Sequence, residues 1–133
     1  MITENLRALV RYRVEQAHDA IRAGELALKE ALYRDALNRF YYAMFYGVLA
    51  LLATRKMETS KHKGAISLFD KEFVNRGLLS KDLSAWLHDA FERRMKGDYK
   101  EFATATREES EKLLTHAEEF VAQVKAHLAE YLS

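Results

Sequence analysis

The chain has 133 residues, with no cysteine, no proline and only five glycines. Disulfides, thiolate catalysis and thiolate metal ligation are therefore excluded, and the residue bias is strongly helical. A formal net charge of +1 hides a gradient: residues 55–100 carry eleven Lys/Arg against seven Asp/Glu, while residues 101–133 carry three against seven. The positive middle suits contact with a polyanion.

Thr3 precedes the first periodic run and reads as the N-cap of a helix. Its stripe is Leu6, Val10, Val14, Ala17, Ile21 and Leu28. Met1-Ile2-Thr3-Glu4-Asn5 lacks a basic stretch followed by an apolar one, so a cytoplasmic location is expected by default. No proline or late glycine stops this helix before the next one. A single helix from Glu4 to Thr54 would be about 75 Å long at 1.5 Å per residue, too long for a small domain. A turn is expected between Lys29 and Arg34, with the two helices packed antiparallel.

The second helix is central. No residue from Phe40 to Ala53 is charged. Leu37, Phe40/Tyr41, Met44, Val48 and Leu51/Leu52 form one face, and Arg39, Tyr42 and Tyr46 form a line beside it. A helix apolar nearly all round is one covered by others on several sides. It falls short of the roughly 20 apolar residues of a bilayer span, so no membrane role is expected. The helix should stop near Arg55-Lys56, where cations suit its C-terminus.

Thr59 or Ser60 is the expected cap of a third helix, with Ile66, Phe69 and Phe73 inward. Asn75-Arg76-Gly77 reads as a stop, Gly77 supplying positive φ. Ser80 is expected to cap a fourth helix bearing Leu83, Leu87, Ala90, Phe91 and Arg94 on one side, with Gly97 ending it. Asp98-Tyr99-Lys100-Glu101 has the form of a capping box for a last helix, whose inner stripe would be Phe102, Thr106, Leu113, Ala117, Phe120, Val124 and Leu128. The expected fold is all-α: residues 1–133 as one domain, an antiparallel four-helix up-and-down bundle with an additional short helix.

The order of landmarks resembles the HEPN family (higher eukaryotes and prokaryotes nucleotide-binding domain). The resemblance rests on Tyr33-Arg34-Asp35-Ala36, Asn38-Arg39-Phe40-Tyr41-Tyr42-Ala43-Met44-Phe45, Ser60-Lys61-His62-Lys63-Gly64, Arg94-Met95-Lys96-Gly97-Asp98-Tyr99 and Ala117-Glu118-Glu119-Phe120-Val121. It implies a helical homodimer that binds RNA or a nucleotide. It also implies a toxin–antitoxin pair with a nucleotidyltransferase encoded nearby. Many prokaryotic members cleave RNA without metal, through an Arg followed four to six residues later by a His. An arginine fork holds the phosphate, and an imidazole moves a proton near neutral pH.

This chain departs from that pattern. After four intervening residues from Arg93 and Arg94 stand Asp98 and Tyr99, and after six stand Lys100 and Glu101, with no histidine between. A tyrosine, with a pKa of about 10, is a poor base at pH 7. The candidate catalytic set is Arg94, Asp98 and Tyr99, and the candidate nucleotide- or RNA-binding set is Arg39, Tyr42, His62, Arg93 and Arg94. Tyr99 is also a candidate acceptor of a nucleotide from the partner. Arg39, opening so apolar a helix, needs a partner if buried, and Asp98 or Asp35 is the candidate. His62, between two lysines in a first helical turn, is expected to be neutral. Glu15-x-x-His18 has di-iron spacing but no second such pair, so no metal or other cofactor is expected. The alternative function is a non-catalytic helical module serving as partner subunit of a transferase.

Overall fold

The structure, a computed structural model, describes residues 2–99 and 105–133, and residues 97–99 by their backbone alone. The described residues form an all-α bundle. Its helices are α1 (Glu4–Lys29), α2 (Tyr33–Thr54), α3 (His62–Phe69), α4 (Lys81–Tyr99), α5 (Arg107–His127) and a short α6 (Ala129–Leu132). α3 runs directly into a π-helical turn, Asp70–Val74. α2 lies at the centre and touches α1, α3, α4 and α5.

The aromatic stretch dictates that position. Leu37, Phe40, Tyr41, Met44, Val48, Leu51 and Leu52 are all buried, and so are Ala43, Gly47 and Ala50 on the other side of α2. By length and composition α2 could cross a membrane, yet 67% of its most apolar window is buried within the bundle. Val10, Val14, Ala17 and Ile21 of α1 meet it, as do Leu83, Leu87 and Ala90 of α4 and Leu113, Ala117, Phe120 and Val124 of α5. Ile66, Phe69 and Phe73 point inward, as their spacing predicts.

The turn between α1 and α2 falls where it is expected, but no glycine makes it. Ala31 adopts φ 61°; its N–H donates to the Leu28 carbonyl at 3.0 Å, and the Leu32 N–H donates to Ala27 at 2.8 Å. This is a Schellman stop. α2 ends the same way, with Lys56 at φ 56° and bonds from Lys56 to Ala53 and from Met57 to Leu52, each 3.0 Å. Gly77, at φ 75°, closes the π-turn by the same pattern. The predicted caps Thr3 and Ser80 are in place, accepting from Leu6 and Asp82 at 3.1 Å each.

Three expectations need correction. The N-cap position of α3 is Lys61, whose side chain makes no capping bond; Thr59 Oγ1 instead accepts the Lys61 N–H at 3.3 Å. α4 does not end at Gly97 but continues to Tyr99, so Asp98 is helical and not an N-cap. The last helix starts at Arg107 behind a different box: Thr106 Oγ1 accepts the Glu109 N–H at 3.2 Å and lies 3.4 Å from its carboxylate. Thr106 is thus a cap and not part of the inner stripe. Both segments carry the box pattern, and one interior glycine costs a helix only about 1 kcal/mol, too little to force a stop. Lys100, Glu101 and Phe102 lie outside the described residues.

At Gly24, α1 lies against the Phe40 ring of α2. A Cβ there would lie 2.7 Å from Cδ1 of the fully buried Phe40. Alanine ordinarily gains about 1 kcal/mol over glycine in a helix; here overlap with a buried ring costs about 1–3 kcal/mol and wins. Gly24→Ala is therefore expected to lower the urea midpoint, and an unchanged or raised midpoint would contradict the close approach. Ala31→Gly should do the reverse. It relieves a left-handed alanine that costs roughly 1–2 kcal/mol, partly offset by greater unfolded-state freedom, for a net gain of up to about 1 kcal/mol in the same titration.

Candidate functional site

Asn38 and Tyr42 are one turn apart on α2, so both face the same neighbour, the C-terminal half of α4. There Arg94 donates from Nε to Asn38 Oδ1 at 3.3 Å and from Nη2 to the Tyr42 hydroxyl at 3.2 Å. Its guanidinium carbon lies 5.5 Å from the centre of the Tyr41 ring and 5.3 Å from that of Tyr42. Both acceptors are neutral groups, and together they orient the guanidinium.

His62 arrives from another direction, as the first residue of α3. It stacks flat on Phe45, with ring centres 4.2 Å apart and planes 7° apart. It also meets the same two tyrosines, each at 5.7 Å. Its Nδ1 is 2.6 Å from the Tyr41 hydroxyl. Burial pushes the Tyr41 hydroxyl far up, although the charge of Arg94 opposes it, so the phenol keeps its proton. Burial first, and the charge of Arg94 second, hold His62 below the ordinary imidazole value. The neutrality expected of His62 thus follows from burial and Arg94, not from Lys61 and Lys63, which are exposed. Between a protonated phenol and a neutral imidazole, Tyr41 donates to Nδ1. The remaining proton then sits on Nε2.

Arg39 lies over Tyr42, its guanidinium carbon 5.2 Å from the ring centre. Among the described residues it has no carboxylate partner; Asp35, one turn earlier, is exposed and makes no ion pair with it. The predicted line Arg39–Tyr42–Tyr46 is a row of side chains in contact, with the Tyr42 and Tyr46 rings tilted 38° to each other and 5.9 Å apart. Arg93 behaves differently from its neighbour. It pairs with Asp89 at 3.0 Å and Glu109 at 2.7 Å, which ties α4 to α5 and turns it away from the tyrosines. Asp98 and Tyr99 are in the last turn of α4, one turn beyond Arg94; their side chains lie outside the described residues.

The structure thus brings together Arg94, Tyr42 and His62, with Arg39 on the far partner of the same ring, and leaves Arg93 apart. It adds Asn38, Tyr41 and Phe45. Asn38 had a signal: it is a polar residue one turn before Tyr42, beside the uncharged aromatic run. Tyr41 had none, because a fully buried aromatic reads as core. No group of three His, Asp or Glu side chains capable of holding a metal occurs among the described residues. The midpoint of His62 in a proton NMR titration should lie below the usual value of about 6.5. Arg94→Gln should move it upward, because a cation is removed while burial persists; a downward move or none would contradict the placement of Arg94 beside it.

The HEPN domain matches residues 10–127. A Methanocaldococcus jannaschii protein named a "putative toxin" is 33% identical over 132 residues, 99% of this chain and 98% of its own length. A second protein of that organism with the same designation is 33% identical over 115 residues, 86% of this chain and 78% of its own. A "UPF0332 protein" of Thermotoga maritima is 33% identical over 117 residues, covering 88% of this chain and 89% of its own. A family match over most of the sequence, with relatives aligned along nearly the whole of both chains, establishes that the chain belongs to the HEPN domain family.

Proposed function

We propose that this HEPN protein binds a phosphate of RNA or of a nucleotide between Arg94 and His62, as the toxin-like member of a pair with a nucleotidyltransferase. The observation that carries the reading is that two tyrosine rings hold an arginine and a neutral histidine together, although the two are 32 positions apart in sequence. Family members that cleave RNA place the histidine four to six residues after the arginine, as the resemblance implies. Here α3 supplies an imidazole to the arginine from another helix. Arg94 offers a planar, oriented fork, and His62 Nε2–H offers a second donor to the same anion. Exposed Lys61, Lys63 and Lys96 add positive charge in the neighbourhood. The relatives' designation as toxins supports the pairing, and a homodimer and a cytoplasmic location fit the same reading.

Strand cleavage without metal is a further step. The ribose 2′-hydroxyl would attack the adjacent phosphorus, Arg94 would stabilise the added charge, and a base would take the hydroxyl proton. His62 can be that base only in the other tautomer, with its proton on Nδ1 and its lone pair on Nε2. The Tyr41 hydrogen bond opposes that tautomer. This favours the second reading, a module that binds the phosphate and partners the transferase without cutting RNA.

A single set of proteins tests both. Arg94→Ala should weaken binding of a generic RNA by about 10- to 100-fold, the worth of a charged hydrogen-bond pair of roughly 1.5–3 kcal/mol. Arg94→Lys should not restore it, since an ammonium cannot span Asn38, Tyr42 and the anion together. Arg93→Ala should leave RNA binding within about threefold while lowering the melting temperature. Equal binding by wild type and Arg94→Ala removes the reading. In EDTA, cyclic phosphate ends that vanish in both Arg94→Ala and His62→Ala support cleavage; intact RNA supports the binding module.

A further inference from the structure

We propose that the groove beside the α1–α2 turn seats the base of the nucleotide whose phosphate Arg94 and His62 hold. The inference rests on that phosphate reading and adds the ligand's second half. The groove has a volume of about 460 Å³ and is lined by Leu26, Ala27, Leu32, Asp35, Asn38 and Arg39, among others. That volume is within the range of small-molecule sites, which run from roughly 300 to 1,000 Å³.

Three observations point to a base. The first is continuity. Asn38 lines the groove and also accepts from Arg94, so one side chain borders both halves of the site. With its Oδ1 engaged by Arg94, its amide N–H groups remain as donors. The second is Arg39. It has no carboxylate partner among the described residues, and it lines the groove while lying over the ring whose hydroxyl binds Arg94. The two guanidinium carbons are therefore no further apart than the sum of their distances to that ring, a span suited to one nucleotide. The third is the apolar wall. Leu26 and Leu32 are 60% and 52% exposed, large side chains left in water beside a cationic site. A flat heterocycle would cover them, and Asp35 at the rim offers an acceptor to the N–H groups of a base edge.

The ligand chemistry is a nucleoside phosphate, which a free mononucleotide or an RNA segment can supply. The test is calorimetric titration of the full chain with adenosine and guanosine monophosphates, ribose 5-phosphate, inorganic phosphate and a short single-stranded RNA. At least one mononucleotide is expected to bind tenfold or more tightly than ribose 5-phosphate. Leu26→Ser/Leu32→Ser, at exposed positions that folding tolerates, should erase that advantage and leave ribose 5-phosphate within twofold. Arg94→Ala should weaken all of them. RNA binding that loses tenfold in the leucine variant while the mononucleotides gain nothing from their base assigns the seat to an RNA base. Equal, Arg94-dependent binding of all ligands, RNA included, in both proteins overturns the base seat and keeps the phosphate site. Binding indifferent to Arg94, or none at all, overturns both. A fall in oligomer mass on light scattering for the leucine variant, with unchanged ligand affinities, assigns the groove to a second copy of the chain and overturns the proposal.

Discussion

A phenol without access to water must still bond its hydroxyl. Tyr41 is fully buried at the centre of the bundle, and His62 answers it at 2.6 Å. Leaving that hydroxyl unpaired would cost about 1–3 kcal/mol, so the start of α3 is held against α2. The consequences spread from this one bond. It brings the imidazole beside Arg94, sets which ring nitrogen bears the proton, and joins three separate segments into one cluster. The flat stack on Phe45 then fixes the plane of the ring.

The three arginines that stand out in the sequence have different physical fates. Arg93 is neutralised by two carboxylates and serves to couple α4 to α5. Arg94, its neighbour, is turned by about 100° of helical rotation toward α2, where it meets Asn38, the Tyr42 hydroxyl and the Tyr42 ring. Arg39 meets a ring face but no carboxylate among the described residues. Helical phase therefore sets which neighbours each of the adjacent arginines meets.

Much of the fold was legible because α2 is so apolar and its neighbours carry clear stripes. Val10, Val14 and Ala17, then Leu83 and Leu87, then Leu113, Ala117 and Phe120 all face inward as their spacing requires. What escaped was local. Two of the stops use Ala31 and Lys56 in the left-handed region, where a reader looks for glycine. The π-turn over Asp70–Val74 leaves no residue signature. The last helix had two equivalent boxes, and the later one caps it. In the site, Arg39, Tyr42, His62 and Arg94 stood out as charged, aromatic or titratable groups near the family landmarks. That Arg94 converges with them while the adjacent Arg93 does not depended on rotation about α4, which a motif of adjacent arginines leaves open.

Gly24 acts beyond its own contact. It lets the first hairpin close tightly against the edge of Phe40, two residues before Leu26 and about two turns before the stop at Ala31. Any bulkier residue there would act as a wedge, splaying the pair of helices and spreading the mouth between Leu26 and Asn38. The aperture of that mouth is therefore governed from within the bundle, by a single hydrogen atom standing where other residues carry a methyl group.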